Sequence, residues 1–231
     1  MREDDGGSGV AGATWAIVVA AGAGARLGLD RPKAFAAFAG RPLLAESIER
    51  LDRCAWVDAV VVVAPPGWEE PAILLAEELG AGKVAACVAG GATRTESVRI
   101  GVAEVPQDAV AVLVHDAARP LLPDEVVERV LAPLSEGWDG VVPALPIPDT
   151  VKRVEGERVA ETLHRAGLVA AQTPQAFLAD VLRAALEAGG DAGDCAALVE
   201  ARGGRIRWVE GDPRLLKVTT PADLETVASW L

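Results

Sequence analysis

The sequence has few of the residues that build disulfide frameworks and metal centres. Its 231 residues include three cysteines and two histidines. Cys54, Cys87 and Cys195 lie far apart and form no Cys-x-x-Cys pair. Without closely spaced Cys and His ligands, neither a structural zinc site nor a disulfide scaffold is expected. Scattered cysteines of this kind are typical of proteins in a reducing compartment.

Basic residues and long apolar runs are also scarce. The chain has 22 Lys and Arg residues against 34 Asp and Glu residues, which gives a net charge of −12. A general nucleic-acid-binding protein would need a basic surface, so the charge argues against that class. No run approaches the ~20 apolar residues of a membrane helix. Residues 1–13 are rich in Gly, Asp and Glu and lack the basic start and apolar block of a signal peptide. We therefore expect a cytoplasmic protein with no nucleic-acid or membrane partner and a disordered tail at 1–13.

Apolar, strand-like runs alternate with amphipathic, helix-like stretches along the chain. The pattern predicts strands at residues 15–20, 59–64, 83–88, 110–115 and 140–144. It predicts helices at residues 43–53, 69–79, 95–105 and 124–134. Strands that are apolar on both faces and alternate with helices indicate an α/β fold with a mostly parallel sheet covered on both sides.

The C-terminal third continues the same pattern after one interruption. Helices are predicted at 174–188, 194–202 and 221–231, with a strand at 205–209. No low-complexity linker or composition change marks a domain boundary, so residues 14–231 are expected to form a single domain.

The interruption lies at about residues 146–170 and is predicted to form a projecting arm. Residues 150–154 and 158–162 alternate apolar with charged side chains and flank Glu155-Gly156-Glu157. This arrangement predicts a β-hairpin with a three-residue turn that contains glycine. Two interpretations stay open: the hairpin is either an oligomer contact or a plain surface feature.

A loop of small residues follows the first predicted strand. It reads Ala20-Ala21-Gly22-Ala23-Gly24-Ala25-Arg26, with Lys33 shortly after it. Glycines let backbone N–H groups approach a ligand, and two cations favour a triphosphate. A dinucleotide-binding loop needs G-x-G-x-x-G with the helix starting at the glycines. Here Gly28 comes one residue late and the first predicted helix begins only at residue 43, so a nicotinamide cofactor is not expected.

Two further segments lie at the junctions between predicted strands and the loops that follow. In the segment 90–97, Gly90 and Gly91 permit close approach of a planar base, although a helix cap at Thr93 or Thr95 is the alternative explanation. In the segment 114–120, Asp116 follows a buried strand at the edge where open α/β sheets bind ligands. Its carboxylate suits a metal or a hydroxyl group.

Charged neighbours of Asp116 are open to more than one interpretation. Arg119 is suited to pair with Asp116 or with a phosphate, and an Asp–Arg pair that is purely structural is the alternative. His115 is expected to be a packing or hydrogen-bonding residue rather than a catalyst.

Taken in order, these segments resemble the 2-C-methyl-D-erythritol 4-phosphate cytidylyltransferase family of the non-mevalonate isoprenoid pathway. The resemblance extends from Ala20 to Leu224. The order of the HDAARP and TPQ segments is specific, whereas the first loop alone would indicate only the wider group of sugar-phosphate nucleotidyltransferases. The matching segments are AAGAGARLGLDRPKAF, GGATRTESV, VHDAARP, PDTVKR, LHRAGL, AQTPQAF and LKVTTPADL.

The resemblance implies a Rossmann-like domain, a homodimer formed through the arm, and Mg²⁺ as cofactor. The implied partners are CTP and a polyol phosphate. The implied reaction transfers CMP from CTP to methylerythritol phosphate and releases pyrophosphate.

The resemblance also implies roles for individual residues. Arg26 and Lys33 would stabilise charge on the triphosphate, and Lys217 would hold the α-phosphate. Arg165 would position the acceptor from the arm and, with Thr150, would serve the neighbouring subunit's site. The other implied substrate-binding residues are Ala20, Ala21, Gly22, Gly24, Gly91 and Ser97 for cytidine, and Asp116, Arg119 and Thr173 for the sugar phosphate.

The chain departs from the family pattern at several positions, none of which removes an implied cation. Ala92 stands where the family usually has Asp, and Gly193-Asp194-Cys195-Ala196 stands for Thr-Asp-Asp/Glu-Ala. Leu215-Leu216-Lys217 replaces Asn-Ile-Lys, and Pro32-Lys33-Ala34 replaces Pro-Lys-Gln. Two alternatives therefore stay open: a cytidylyltransferase for another polyol phosphate such as ribitol 5-phosphate, and a nucleotide-binding protein without turnover.

Overall fold

A mostly parallel sheet of eight strands organises the fold. The structure is a computed structural model that describes residues 12–22 and 30–231. Most of the predicted tail at 1–13 lies outside the described residues. Gly24 and Arg26 also lie outside them. The strands are β1 (Thr14–Val19), β2 (Ala37–Phe38), β3 (Arg41–Pro42), β4 (Ala59–Ala64), β5 (Val84–Ala89), β6 (Ala111–Asp116), β7 (Gly140–Pro146), β8 (Val151–Glu155), β9 (Arg158–Leu163), β10 (Val169–Ala171), β11 (Gln175–Leu178) and β12 (Ile206–Glu210).

Helices cover both faces of this sheet. They are α1 (Leu43–Arg53), α2 (Glu69–Glu78), α3 (Arg94–Ala103), α4 (Asp124–Leu131), α5 (Ala179–Glu187), α6 (Cys195–Glu200) and α7 (Pro221–Ala228). Short 3-10 helices lie at Lys33–Phe35, Ala132–Glu136 and Pro213–Leu215. No helix in the described ranges is long and apolar enough to cross a bilayer.

The order of the strands places the N-terminal βαβ units at one side of the sheet. The order is β5-β4-β1-β6-β11-β7-β12, and β10 pairs with the far end of β7. Strands β1, β4, β5 and β6 are mutually parallel, and β12 runs parallel to β7. Strand β11 is antiparallel to both β6 and β7. The expected α/β class with a mostly parallel, Rossmann-like sheet is confirmed.

Successive residues of β1 face two separate hydrophobic cores, which explains why the strand is apolar throughout. Ala16 and Val18 pack with α1, α2 and α4 on one face, whereas Ile17 packs with α3, α5 and α6 on the other. All three residues are completely buried. Alternate side chains of a strand point to opposite faces, so a strand covered on both sides needs apolar residues at every position.

The predicted helix at 174–188 is wrong over its first turn. Residues Gln175–Leu178 form β11, and the helix begins only at Ala179. Ala176 and Phe177 are completely buried because β11 is inserted between β6 and β7 and hydrogen bonds to both. Ladder pairing and burial of Phe177 outweigh the local helical pattern, as tertiary context commonly does.

The arm is present as a separate two-stranded hairpin. Strands β8 and β9 pair with one another and with no strand of the main sheet among the described residues. The turn is shorter than predicted because Glu155 still belongs to β8, which leaves Gly156 with φ +59° and Glu157 at the tip. The hairpin is solvent-exposed, including Val154 and Val159 at 62% and 55%. Strand β10, which follows the arm, is three exposed residues long and was not predicted.

Gly101 allows α3 to approach the sheet closely, and this yields a stability prediction. A Cβ at Gly101 would lie 2.7 Å from Cγ2 of Ile17 and 2.8 Å from Cγ2 of Val63, both completely buried. Gly101→Val is therefore expected to lower the free energy of unfolding in urea by about 1–3 kcal/mol, the usual effect of overpacking a core. Gly82→Val is the matched control, because a Cβ there meets nothing within 4 Å. Equal stability of the two variants would contradict this packing.

Candidate active site

A pocket opens where β1 and β6 end side by side. The two strands are paired as far as Val19 and Asp116, so the loops that follow them share one edge of the sheet. The cavity has a volume of about 410 Å³. It is lined by Val19, Ala20, Ala21, Gly22, Lys33, Ala34, Gly91, Ala92, Thr93, Arg94, Ser97, Asp116, Ala117, Ala118 and Lys217. We refer to it as the first pocket.

The wall formed by the loop after β5 is held in shape by its own hydrogen bonds. The Ser97 hydroxyl accepts a hydrogen bond from Gly91 N at 3.1 Å and donates one to the Thr93 carbonyl at 2.9 Å. The Thr93 side chain caps α3 by accepting from Glu96 N. A Cβ at Gly90 would overlap that of Ala21 on the neighbouring loop. The predicted cap is therefore present at Thr93, and the glycine is required where two loops touch.

A second pocket of about 310 Å³ lies beside the first. Arg94, Asp116 and Lys217 line both cavities, so these three side chains stand between them. The remaining lining residues are Arg119, Ala171, Gln172, Thr173, Gln175, Gly193, Asp194 and Ala197. Two adjacent cavities with a shared charged wall suit a reaction between two ligands.

The Asp116 carboxylate is shared by two cations. Arg94 donates from Nε at 3.1 Å and Nη2 at 3.0 Å to Oδ1, and Lys217 Nζ donates to Oδ2 at 2.6 Å. Burial alone would raise the pKa of Asp116, but attraction by Arg94 and Lys217 is stronger and holds that pKa well below its usual range. Asp116 is therefore ionised at neutral pH.

The possible pairing of Asp116 with Arg119 is not observed. Arg119 instead donates from Nη1 and Nη2 to the backbone carbonyls of Leu215 and Ala171. Its Nε is buried with no hydrogen-bond partner in the structure. Arg119 thus joins the loop before Lys217 to the strand that follows the arm, and it lines the second pocket only.

Thr173 and His115 form a buried hydrogen-bonded pair next to Asp116. The Thr173 hydroxyl accepts from Asp116 N at 3.0 Å and lies 3.3 Å from His115 Nδ1. His115 Nε2 lies 3.1 Å from the Arg119 carbonyl, to which it can donate as a neutral imidazole. Burial lowers the pKa of His115 to about 4. The prediction that His115 is a packing and hydrogen-bonding residue is confirmed.

Two predicted lysines meet at the first pocket although they lie far apart in sequence. Lys33 Nζ donates to the carbonyl of Val218, the residue after Lys217, at 3.0 Å. Both lysines line the pocket together with Ala20, Ala21 and Gly22. The predicted cluster of cations beside the small-residue loop is therefore brought together for those members that the structure describes.

Thr150 and Arg165 are placed away from this cluster. Thr150 precedes β8, and Arg165 follows β9, so both lie at the base of the arm. Both are exposed, and neither is among the described residues that line the two pockets of the same chain.

Sequence reasoning missed Arg94, Gln175 and Asp194. Arg94 was within reach of prediction, because it directly follows a glycine-rich junction between a strand and a helix. Gln175 Nε2 donates to Asp194 Oδ2 at 2.8 Å, and Asp194 also caps α6. The erroneous helix over residues 175–178 concealed this contact. Across residues 12–22 and 30–231, no group of three or more His, Cys, Asp or Glu side chains forms a metal-binding cluster.

Comparison with known proteins extends the likeness over nearly the whole chain. The family model described as 2-C-methyl-D-erythritol 4-phosphate cytidylyltransferase matches residues 14–231. A protein of that name from Nocardia farcinica is 45% identical over 221 residues, which cover 95% of this chain and 94% of that protein. One from Frankia casuarinae is 47% identical over 211 residues and covers 90% and 77%.

Solved structures show the same likeness in three dimensions. A crystal structure of 4-diphosphocytidyl-2C-methyl-D-erythritol synthase superposes with a TM-score of 0.81 at 32% identity, covering 95% of this chain and 99% of that one. The 2-C-methyl-D-erythritol 4-phosphate cytidylyltransferase of Thermus thermophilus gives 0.76 at 33% identity, covering 95% and 98%. Since the family model, the sequence relatives and the solved structures all match this chain from β1 to α7, the chain belongs to the 2-C-methyl-D-erythritol 4-phosphate cytidylyltransferase family.

Proposed function

We propose that the protein transfers CMP from CTP to 2-C-methyl-D-erythritol 4-phosphate, giving 4-diphosphocytidyl-2-C-methyl-D-erythritol and pyrophosphate. The observation that supports this most directly is the pair of adjacent pockets whose shared wall is Arg94, Asp116 and Lys217. CTP occupies the first pocket, and the acceptor occupies the second. We propose the cytoplasm as its location, in keeping with the free thiols of Cys54, Cys87 and Cys195.

The chemistry needs no Ser, Cys or His nucleophile. An oxygen of the acceptor's phosphate monoester is already a nucleophile at neutral pH. It attacks the α-phosphorus of CTP, and the bond to the β-phosphate oxygen breaks to release pyrophosphate. The difficulty is to bring two polyanions together and to stabilise charge on the leaving group, which cations in fixed positions achieve.

The proposed residue roles follow the two pockets. Lys217 holds the α-phosphate, while Lys33 and Arg26 stabilise charge that develops on the triphosphate. Gly91 and Ser97, with Ala20, Ala21, Gly22 and Gly24, contact the cytidine. On the acceptor side, Asp116 accepts hydrogen bonds from hydroxyl groups, and Arg119 and Thr173 orient the sugar phosphate.

Magnesium is proposed as the cofactor, bound mainly through the nucleotide. Asp116 is the one carboxylate among the described residues lining the first pocket, and it is already committed to Arg94 and Lys217. Mg²⁺ keeps several waters and is commonly held by substrate phosphates with few protein carboxylates, so this donor set fits an ion that arrives with CTP. When bound, it would neutralise part of the triphosphate charge.

The arm is proposed to form a homodimer in which Thr150 and Arg165 serve the neighbouring subunit's acceptor pocket. Their exposed positions at the base of the arm, away from both pockets of their own chain, support this assignment. Exposed Val154 and Val159 on the hairpin add apolar surface that a partner would cover.

Pyrophosphate release tests the proposed function directly. Purified protein with Mg²⁺, CTP and methylerythritol phosphate is expected to release pyrophosphate, with ATP, GTP and UTP as nucleotide controls. Release with ribitol 5-phosphate in place of methylerythritol phosphate would assign another acceptor. Binding of CTP without release for either acceptor would identify a nucleotide-binding protein without turnover.

Removing either of the two cationic side chains proposed to contact the triphosphate is expected to slow the reaction strongly. Arg26→Ala or Lys33→Ala should each lower kcat by at least ~10²-fold, because each cation stabilises charge that appears in the transition state. Lys83→Ala is the control, since Lys83 lines neither pocket and its Nζ donates to the carbonyl of Cys54, the residue after α1. Unchanged kcat in the Arg26 and Lys33 variants would remove these residues from the mechanism.

Mixed dimers test the contribution of the arm. Arg165→Ala and Lys217→Ala chains carrying different tags are co-expressed, and the doubly tagged species is purified. If Arg165 acts on the partner's site, one of the two sites is intact, so activity should be about half that of wild type. If both residues act within one chain, the mixed dimer is as inactive as either parent. Failure to recover any doubly tagged species would exclude the dimer itself.

A further inference from the structure

We propose that Arg94 is a positioning residue that keeps Asp116 in place for the acceptor while Lys217 is engaged by the nucleotide. The inference rests on the proposed function. Arg94 and Lys217 each bind one oxygen of the same buried carboxylate.

Arg94 is anchored more firmly than Lys217. It is the first residue of α3, directly after the Thr93 cap, so its backbone is fixed by a helix. The next residue, Thr95, donates from Oγ1 to Asp191 Oδ1 at 2.7 Å and ties this turn to a neighbouring loop. The Arg94 side chain is 24% exposed, against 42% for Lys217, which lies outside any helix or strand.

The two cations hold different oxygens of Asp116. Arg94 contacts Oδ1 through two N–H groups, whereas Lys217 contacts Oδ2 through a single ammonium. An Arg fork fixes the plane of a carboxylate, while Lys acts as a compact point charge on a flexible stem. When Lys217 turns to the α-phosphate, Oδ2 becomes available to an acceptor hydroxyl, and Oδ1 stays bound to Arg94.

Without Arg94, the turning of Lys217 to the α-phosphate would take away the hydrogen-bonded cation from a buried carboxylate. The Asp116 side chain is 9% exposed, and isolating a buried carboxylate is strongly unfavourable. Neither Thr173 nor Arg119 is hydrogen-bonded to this carboxylate, although the positive charge of Arg119 attracts Asp116. Thr173 contacts the backbone N–H of Asp116 rather than its carboxylate, and Arg119 is directed to backbone carbonyls.

Cys195 leaves Arg94 available to Asp116. Its Sγ lies 3.6 Å from Arg94 Nη1, whereas the contacts to Asp116 use Nε and Nη2. Burial raises the pKa of the Cys195 thiol to about 11, so it is neutral at physiological pH. A neutral thiol offers a weak contact without competing with Asp116 for the positive charge.

Steady-state kinetics of Arg94→Met against both substrates test this role. We expect kcat/KM for methylerythritol phosphate to fall by about 10²-fold, the loss typical of a substrate that is misplaced by roughly 1 Å. The KM for CTP and the Kd for CTP measured by calorimetry without acceptor should change less than about threefold. Arg94→Lys, which keeps the charge but not the fork, should recover part of the loss in kcat/KM for the acceptor.

Arg99→Met is the matched control, because Arg99 lies on the same helix and donates to the Leu186 carbonyl from Nε at 3.2 Å and Nη2 at 3.1 Å. It should reproduce any loss of stability without the selective effect on the acceptor. Equal losses for both substrates, or kinetics equal to those of Arg99→Met, would overturn the inference. If Arg94→Met does not fold, Arg94→Lys decides: an unchanged kcat/KM for the acceptor there would also overturn it. Wild-type protein without turnover would instead overturn the proposed function, and this inference with it.

Discussion

An ionised carboxylate buried between two cations is the constraint on which the rest of the site depends. Asp116 remains charged at 9% exposure because Arg94 and Lys217 flank it and attract its negative charge. That requirement brings together the end of β6, the start of α3 and the loop before α7, which are distant in sequence. The close loop contact at Gly90 and the cap at Thr93 contribute to the same arrangement. They set where α3 begins and therefore where Arg94 projects.

The order and direction of the strands place two pockets around this carboxylate, at one edge of the sheet. Parallel strands β1 and β6 deliver Val19 and Asp116 to one edge, where helix starts and loops supply N–H groups and cations. Antiparallel β11 begins at that same edge, so Thr173 and Gln175 enter the site from the start of a strand rather than from its end. Parallel strands alone would have built the first pocket and left the second without these residues.

Local patterns predicted most of the fold, because strands apolar on both faces and amphipathic helices carry strong periodicity. The bounds of α1 were predicted without error, and β4 likewise. Residues 175–178 were misassigned because Phe177 is held by partners on β6 and β7, which no local window contains. Lys33 and Asp116 were predicted from the loops that follow two apolar strands, and Lys217 through the family likeness. Their mutual contacts, and Arg94 as the partner of Asp116, depend on tertiary placement.

The arm leaves the sheet at Pro146 and returns through β10 directly beside the strand it left. Because β10 and β11 both pair with β7, the register that places Thr173 is set at the root of the arm and not along its length. The hairpin tip at Gly156 meets no neighbouring atom that a side chain would disturb. A change in the length or charge of the hairpin would therefore alter what the arm contacts, while the geometry around Asp116 in the same chain would stay as it is.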